Sequence, residues 1–329
     1  MKTRIGIIGY GNLGRGAELA VSAAPDMELA AVFTRRAPGS VATLTGAPAL
    51  HIDKAEEFIG KIDVMLLCGG SASDLPGQGP KFAAMFNTVD SFDTHAKIPG
   101  YFAEVDAAAK NTVSIISAGW DPGLFSLMKL LMGTVLPSGD TYSFWGRGVS
   151  QGHSEAIRGI KGVKRDAEGK GLAVQYTVPD EGAMATARAG GKIEADAHKT
   201  HLRECWVVAE EGADKSAIER EIITMPNYFA GYRTVVHFIS EEELRREHSG
   251  MPHAGAVIRS GSTGANKHTL EFSLKLDSNP EFTASVVVAC ARAAARLHKE
   301  GARGARTMLD FPLSYLSPLG REGLLKAYM

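Results

Sequence analysis

Apolar and polar residues are arranged in two different patterns along this chain, and the pattern changes near residue 121. Before that point, solid apolar runs at Ile5–Ile8, Leu29–Phe33 and Ile62–Cys68 are separated by amphipathic, helix-like stretches. Solid runs of this length are typical of parallel strands that are buried on both faces. Because these strands alternate with helices, residues 1–121 are predicted to form an α/β unit with a doubly wound parallel sheet.

Shorter elements complete this first region. The pattern predicts a brief strand over Leu50–Asp53 and helices over Pro80–Phe86 and Tyr101–Ala109. Pro122 fits the first position of a helix, so a long apolar helix is expected over Pro122–Leu136.

Beyond residue 121 the strands alternate instead of forming solid apolar runs. In Leu270–Asp277 every second side chain is apolar, which is typical of an antiparallel strand with one buried face. The pattern predicts an α+β domain with an open mixed sheet, and a wide one-sided sheet invites a second subunit as its cover. We therefore expect a homodimer or a higher homo-oligomer. The other predicted strands and helices of this region are Ala173–Val178, Glu204–Ala209, Thr234–Ile239, Ala256–Ser260, Asp214–Thr224 and Glu241–Glu247.

The C-terminal region is helical again. Phe282–Lys299 is rich in alanine, and the tail Leu309–Met329 is apolar enough to pack onto another element. We expect this region to return to the first domain. Residues 1–121 and about 282–329 would then bind a dinucleotide, and about 122–281 would bind substrate and form the dimer.

Composition excludes several classes of function. The chain has 329 residues, with 36 Lys and Arg against 37 Asp and Glu, and a net charge of −1 argues against nucleic acid as a partner. Cys68, Cys205 and Cys290 are far apart and show no metal-ligand spacing, so we expect a reduced cytoplasmic location and no metal. The first strand begins at once and no apolar run is long enough to span a membrane, so neither a signal peptide nor a membrane partner is expected.

A glycine-rich turn follows the first strand. Gly9, Gly11 and Gly14 precede a helical pattern. In dinucleotide-binding units the first such glycine makes the tight turn, the second lets the backbone approach the pyrophosphate, and the third lets the helix pack on the strand. The motif in this context predicts a Rossmann-type fold that binds phosphate at the helix N-terminus.

The residues that would contact the ribose come about 20 positions later, at the end of the second strand. This chain has Thr34-Arg35-Arg36 there, where an NAD-binding protein usually has Asp or Glu. These three residues include no carboxylate to repel a 2′-phosphate, and two guanidiniums can bind one. We therefore expect NADP(H) as cofactor, and the alternative is that the arginines form a solvated surface pair.

Two acidic clusters, Asp90–His95 and Gly119–Gly123, lie at predicted strand ends. A carboxylate beside a nicotinamide can bind an ammonium and take part in proton transfer as an amine becomes an imine. Asp93 is a stronger candidate than Asp90, because Asp90 can simply end its strand. Asp121 has a second interpretation as the cap of the following helix.

Other polar and aromatic residues have ordinary interpretations when each is taken alone. Trp120 is typical of a core, whereas Trp145 lies among glycines, where a packing partner is less obvious. The polar run Ser150–Ser154 is typical of a helix cap. Arg203 and His253 are typical of surface or packed residues.

Taken together, these motifs resemble those of one family. The matching motifs are Gly9–Arg15, Gly119–Gly123, Ser150–Ser154, Gly250–His253 and Leu276–Pro280. They are similar, in this order, to the motifs of the meso-diaminopimelate dehydrogenases. The resemblance implies reversible, NADP-dependent deamination of the D-centre of meso-2,6-diaminopimelate to L-2-amino-6-oxopimelate and ammonia, a reaction that supplies lysine and cell-wall precursors.

The resemblance also implies roles for individual residues. Asp93 and Asp121 would be the catalytic carboxylates, and either of them is a candidate base. Arg203 would clamp the distal carboxylate, because a planar guanidinium binds both carboxylate oxygens. The residues implied to bind substrate are Asp93, Trp120, Asp121, Trp145, Gln151 and Gly152 at the reacting end, and Thr177, Arg203, His253 and Asn279 at the distal end. The residues implied to bind cofactor are Gly9, Tyr10, Gly11, Asn12, Leu13, Gly14, Thr34, Arg35, Arg36, Cys68, Gly69, Gly70, Ser71, Ser91, Phe92, Asp93, Ala118, Gly119, Trp120, Asp121 and Pro122.

The chain departs from the family pattern at several positions. Phe92 replaces Tyr, Arg147 replaces Pro, Gly69 replaces Met, and the stretch 165–171 lengthens a loop. The alternative functions are a related NADP-dependent oxidoreductase, a D-amino acid dehydrogenase of broader substrate range, and a non-catalytic NADP(H) sensor.

Overall fold

A computed structural model describes residues 2–194 and 196–329 of the chain, apart from the side chain of Pro38. The helices are α1 (Asn12–Ala23), α2 (Leu75–Ala83), α3 (Ile98–Ala108), α4 (Leu124–Val135), α5 (Gln151–Arg158), α6 (Glu181–Arg188), α7 (Ala197–Thr200), α8 (Lys215–Thr224), α9 (Glu241–Glu247), α10 (Asn279–Lys299) and α11 (Arg321–Tyr328). The strands are β1 (Thr3–Ile8), β2 (Met27–Thr34), β3 (Ala49–His51), β4 (Val64–Leu67), β5 (Asn87–Asp90), β6 (Val113–Ile115), β7 (Gly139–Trp145), β8 (Gly148–Val149), β9 (Ala173–Pro179), β10 (His201–Val207), β11 (Arg233–Phe238), β12 (His253–Thr263), β13 (Asn266–Leu276) and β14 (Gly304–Arg306).

The chain folds as two compact units. Unit 1 comprises Met1–Leu127 and Pro280–Met329, and unit 2 comprises Met128–Asn279. The sequence placed the corresponding boundaries at residue 121 and near residue 282. The C-terminal region joins unit 1 through α10 and through β14, which pairs in parallel with β6.

Unit 1 is built on a parallel sheet in which the described strands have the order β14-β6-β5-β4-β1-β2-β3. Helices α1 and α10 cover one face and α2 and α3 cover the other, which confirms the doubly wound α/β prediction. Gly16 permits α1 to lie close to α10, because a Cβ at Gly16 would be 3.0 Å from the Cα of Glu281. The strand order reverses between β1 and β4, and open α/β sheets bind ligands at this kind of switch point.

Helix α2 begins at Leu75, five residues earlier than Pro80, where the sequence placed the start of a helix. Gly77 and Gly79 obscured the helical pattern, because glycine disfavours helix interiors. Gly79 is required by packing, since a Cβ there would be 2.1 Å from Oη of Tyr101.

Two further boundaries in unit 1 differ from the prediction. Helix α4 begins at Leu124 and not at Pro122, because Gly123 has φ +127°, which is outside the helical region. The predicted strand Leu50–Asp53 ends at His51, and Ile52–Phe58 form a 3₁₀ helix.

Unit 2 carries two separate sheets in its described part. One has the order β11-β10-β9-β8 and mixes parallel and antiparallel pairs, and the other is the antiparallel sheet β13-β12-β7. Strand β13 alternates as predicted, with Leu270, Phe272 and Leu274 less exposed than the residues between them. No bounds were predicted for β7, β8, α5, α6 and α7; β8 and α7 are short, and α5 and α6 consist mainly of polar and small residues.

Within the described residues, no helix is long and apolar enough to cross a membrane.

Candidate functional site

The glycine turn after β1 has the geometry that its motif predicts. Gly9 has φ +90°, and a Cβ there would lie 3.0 Å from the backbone of Cys68. A Cβ at Gly14 would be 2.1 Å from the carbonyl oxygen of Gly9, so only glycine lets α1 pack this closely. At Gly11, by contrast, a Cβ would have no described atom within 4 Å. The open space at Gly11 is where a ligand can approach the backbone.

A cavity of about 450 Å³ lies at the carboxyl ends of β1, β2 and β4. It contains both arginines that follow β2. The guanidinium of Arg36 donates a hydrogen bond to the carbonyl oxygen of Tyr10, and the backbone N–H of Arg36 donates to Oγ1 of Thr34 at 3.2 Å. The lining residues are Ile8, Gly9, Tyr10, Gly11, Phe33, Thr34, Arg35, Arg36, Ile52, Cys68, Gly69, Gly70, Asp74 and Gln78.

The cavity also contains a carboxylate that the sequence argument overlooked. Asp74 forms an ion pair with Arg35 at 2.9 Å and accepts a hydrogen bond from the backbone N–H of Gly70 at 2.9 Å. The segment Thr34-Arg35-Arg36 itself contains no carboxylate, but Asp74 brings one into the cavity beside Arg35. Asp74 comes from the loop after β4, and spacing along the chain gives no signal that this loop meets Arg35.

Gln78 and Ile52 are further lining residues that sequence reasoning missed. The Oε1 atom of Gln78 is buried and has no hydrogen-bond partner in the described part of the chain. A Cβ at Gly69 would lie 2.7 Å from this oxygen and 2.7 Å from the Cβ of Asp74. The space that a side chain at position 69 would need is therefore filled by Gln78 and Asp74.

Loops after neighbouring strands meet at the carboxyl edge of the sheet. The backbone N–H of Asp93 donates to Oγ of Ser71 at 2.9 Å, which joins two predicted cofactor loops. The N–H of Ala118 donates to the carbonyl oxygen of Asp90 at 2.8 Å and joins a third. Asp93 is exposed, so its carboxylate can reach a ligand.

Asp90 organises this edge without facing solvent. Asp90 is 1% exposed, and its carboxylate accepts hydrogen bonds from the N–H groups of Phe92 and Ser117, both at 3.0 Å, and from the hydroxyl of Tyr101 at 2.7 Å. Burial raises the pKa of Asp90, and these hydrogen bonds oppose the rise. The lower rank given to Asp90 agrees with this structural role.

Several predicted cofactor residues have buried side chains and can offer mainly their backbone. Phe92 stacks on Tyr101 with ring centroids 4.2 Å apart. Cys68 and Ala118 are buried, and Trp120 packs edge-on against Phe125 at 5.2 Å.

Asp121 lies in a tight turn ahead of α4. Trp120 and Gly123 form an antiparallel bridge, and a Cβ at Gly123 would be 2.0 Å from the carbonyl oxygen of Gly119. The N–H groups of Leu124 and Phe125 donate to the carbonyls at positions 119 and 120. Asp121 therefore lies in the turn that precedes α4 and is not a residue of that helix.

In unit 2, Arg203 and Thr177 form a buried pair across β9 and β10. Each is 8% exposed, and Nη1 of Arg203 donates to Oγ1 of Thr177. The guanidinium also lies 4.1 Å from the ring centroid of Tyr232. Nε of Arg203 is buried without a partner, and no described carboxylate pairs with this guanidinium. Burial lowers the pKa of Arg203, as expected for a cation that lacks an anionic neighbour.

His253 lies beside the same strand pair. Its ring packs on Gly148, where a Cβ would be 2.3 Å from Cδ2 of His253, and Gly148 pairs with Thr177. Nδ1 of His253 donates to the carbonyl oxygen of Ala254 at 2.8 Å, and burial lowers its pKa.

Gln151 and Asn279 both contact Met251. The side chain of Gln151 donates to the sulfur of Met251 at 3.3 Å, and the N–H of Asn279 donates to the carbonyl oxygen of Met251 at 2.9 Å. Ser150 precedes α5, but its hydroxyl contacts Nδ1 of His153 at 2.7 Å and does not cap the helix. Gln151 and Gly152, the first residues of α5, are exposed.

Trp145 is held by His201, a residue to which sequence reasoning gave no role. Nε2 of His201 accepts a hydrogen bond from the N–H of Trp145 at 2.9 Å, and the two rings lie 5.3 Å apart. Nδ1 of His201 then donates to Oγ1 of Thr200 at 2.9 Å. Burial and the nearby Arg203 lower the pKa of His201 to about 4, so the imidazole is neutral at ordinary pH.

The residues of unit 1 fit NADP(H). Gly11 offers space and backbone at the start of α1, where Gly11 supplies no side-chain cap. Arg35 and Arg36 line the same cavity and suit an additional phosphate. The buried oxygen of Gln78 calls for a donor that a ligand can supply.

Comparisons with known proteins identify relatives along the whole chain. The family model for the diaminopimelic acid dehydrogenase C-terminal domain matches residues 119–278. A meso-diaminopimelate D-dehydrogenase of Ureibacillus thermosphaericus is 59% identical over 328 residues, which are 99% of this chain and 98% of the relative.

Solved structures include similar proteins with ligands. The Corynebacterium glutamicum DAP dehydrogenase in complex with DAP is 43% identical, with a TM-score of 0.88, over 100% of this chain and 99% of that one. An engineered D-amino acid dehydrogenase bound to NADP⁺ is 41% identical, with a TM-score of 0.85, over 100% of both chains.

Proposed function

The chain belongs to the diaminopimelate dehydrogenase family, and we propose that it catalyses the reversible, NADP-dependent oxidative deamination of the D-centre of meso-2,6-diaminopimelate. The products are L-2-amino-6-oxopimelate, which cyclises to tetrahydrodipicolinate, and ammonia and NADPH. We place this reaction in the supply of lysine and peptidoglycan precursors. The observation that carries the substrate assignment is the buried Arg203 guanidinium, which has no carboxylate partner among the described residues.

Unit 1 is the proposed dinucleotide-binding domain. When bound, NADP⁺ supplies the acceptor for the hydride. Arg35 and Arg36 would hold the 2′-phosphate, since both line the cavity and both carry permanent charge. The pyrophosphate would lie at Gly11 and the start of α1, where the backbone is accessible.

Unit 2 is the proposed substrate-binding domain. The substrate carries the same amino-carboxylate group at both ends, so selecting one carbon requires that the other end be held. Arg203 would bind the distal carboxylate through its fork, with Thr177 fixing the guanidinium. His253 and Asn279 would contact the remaining atoms of that end.

Asp93 and Asp121 are the proposed carboxylates at the reacting end. The amine must lose a proton before hydride can leave the carbon, and water must then add to the imine to release ammonia. A carboxylate can hold the ammonium, accept its proton through water and position the attacking water. The exposed side chain of Asp93 suits this role.

The three stereoisomers of diaminopimelate test the proposal. Purified protein should form NADPH from the meso isomer at alkaline pH faster than from the D,D isomer, and it should form none from the L,L isomer. Equal rates with all three isomers would refute the distal clamp. No NADPH from any isomer, despite tight NADPH binding, would favour the sensor alternative.

We further propose a cytoplasmic homodimer that forms through unit 2. Strand β13 lies at the edge of its sheet, and its Leu270 and Leu274 remain partly exposed. Light scattering coupled to size exclusion would give the mass of the assembly. A monomeric mass at micromolar concentration would contradict this part of the proposal.

A further inference from the structure

Gln78 is a polar residue of the cofactor cavity that the reaction leaves without a role. It lies on the first turns of α2, and its amide oxygen is buried and lacks a hydrogen-bond partner among residues 2–194 and 196–329. A buried polar atom without a partner is uncommon in folded proteins, because it forfeits a hydrogen bond to water. The missing donor can belong to the ligand.

The chemistry of the cofactor limits which atom can be this donor. An amide oxygen only accepts hydrogen bonds, and the phosphate oxygens of NADP(H) are acceptors too. NADP(H) carries several donors, namely the amino group of adenine, the ribose hydroxyls and the carboxamide of nicotinamide, whereas the ring nitrogens of adenine are acceptors. The apolar walls of the cavity at Ile8, Phe33 and Ile52 suit a flat aromatic base, which favours the amino group of adenine among these donors.

We propose that Oε1 of Gln78 accepts a hydrogen bond from the amino group of adenine and so selects the adenine base of NADP(H). The inference rests on the proposed function, because it takes NADP(H) as the ligand of this cavity. Gly69 leaves the space that the Gln78 side chain occupies, since a Cβ at position 69 would lie 2.7 Å from Oε1 of Gln78.

The test compares NADPH with its analogue in which hypoxanthine replaces adenine, so that a carbonyl oxygen takes the place of the amino group. Dissociation constants are measured by calorimetry, without substrate, for the wild type and for Gln78→Leu, Gln78→Glu and Arg36→Ala. The wild type should bind NADPH about tenfold more tightly than the analogue, the effect of one hydrogen bond gained and one repulsion avoided. Gln78→Leu should bring this ratio close to one.

Two controls make the result specific. Gln78→Glu keeps an acceptor and loses the amide donor, so it should retain the preference for adenine. Arg36→Ala should weaken both ligands by the same factor and leave the ratio at its wild-type value, because the analogue keeps the 2′-phosphate. Thermal melting checks that each variant is folded, and Gln78→Ala, which also removes the acceptor, takes the place of Gln78→Leu if the leucine variant does not fold.

The outcomes distinguish failure of the Gln78–adenine contact from failure of NADP(H) binding itself. A wild-type ratio in Gln78→Leu, or an equal loss for both ligands, would overturn the inference and leave NADP(H) binding intact. A preference of the wild type for the hypoxanthine analogue would mean that the amide presents its N–H₂ group, which also overturns it. Failure of the wild type to bind NADPH at all would instead refute the proposed function.

Discussion

Replacing Arg203 by alanine should weaken the binding of meso-diaminopimelate and leave the cofactor unaffected. The guanidinium already has two neighbours, because Nη1 donates to Oγ1 of Thr177 and the central carbon lies 4.1 Å from the ring centroid of Tyr232. Nε remains buried without a described partner, so the edge that contains it can bind a carboxylate.

The size of the effect follows from the hydrogen bonds lost. Two charge-assisted hydrogen bonds contribute about 1.5–3 kcal/mol each, so we expect a loss of at least about 3 kcal/mol. This loss corresponds to a rise in KM of about 150-fold. Arg203→Lys keeps the charge but loses the fork, so its KM should rise less, by about tenfold.

The assay measures the initial rate of NADPH formation over a range of meso-diaminopimelate concentrations, together with the Kd for NADPH. Arg188→Ala is a matched control, because this guanidinium of unit 2 pairs with the exposed Glu271 at 2.8 Å. Its KM should stay within about twofold of the wild-type value, as for most surface ion pairs.

Two results would refute this reasoning. The first is an unchanged KM in a folded Arg203→Ala variant. The second is a Kd for NADPH that rises as much as the KM for substrate, which would indicate a general loss of structure.

The remaining predictions concern cofactor binding and pH. Gly11→Ala should keep its melting temperature and lose NADPH affinity, because a Cβ at Gly11 has no described atom within 4 Å. Gly14→Ala should melt at a lower temperature, because a Cβ at Gly14 would lie 2.1 Å from the carbonyl oxygen of Gly9. The opposite pattern in thermal melting and calorimetry would contradict these roles. Arg35→Ala should weaken NADPH far more than NADH, and a matched loss for the two cofactors would count against a 2′-phosphate contact. The pKa of His201 is about 4 in the folded protein and about 6.5 in the unfolded chain. As the pH falls between these values, the unfolded chain binds a proton that the folded protein does not, which favours unfolding. Stability to urea should therefore decline between these pH values, and less steeply in His201→Gln.

The sequence sufficed for those parts of the fold that local patterns determine. Solid apolar runs identified β1, β2 and β4. The glycine motif identified the predicted phosphate-binding turn, because the positive φ of Gly9 and the close packing at Gly14 require glycine at both positions. Helix α9 also agrees with its prediction, Glu241–Glu247, since Ser240 caps it through the N–H of Glu243 at 3.1 Å.

Contacts between distant segments could not be predicted in this way. Asp74 meets Arg35, and the buried Glu18 accepts hydrogen bonds from Tyr10 and from the N–H of Thr45, only because loops after different strands converge at one edge. The hydrophobic periodicity of the sequence does not predict contacts between such distant loops. The same holds for β14, a strand of three residues that pairs with β6 across nearly 200 positions.

Isotope labelling identifies which α-carbon of meso-diaminopimelate loses its hydride, and we expect this carbon to be the D-centre. The protein is given substrate with deuterium on the α-carbon of the D-centre, or in a second sample on that of the L-centre, and the NADPH formed is analysed by mass spectrometry. Oxidation at the D-centre gives deuterated NADPH from the first substrate and unlabelled NADPH from the second. Deuterium in NADPH from the L-centre substrate, or its absence from the NADPH formed with the D-centre substrate, would show that the hydride does not come from the D-centre.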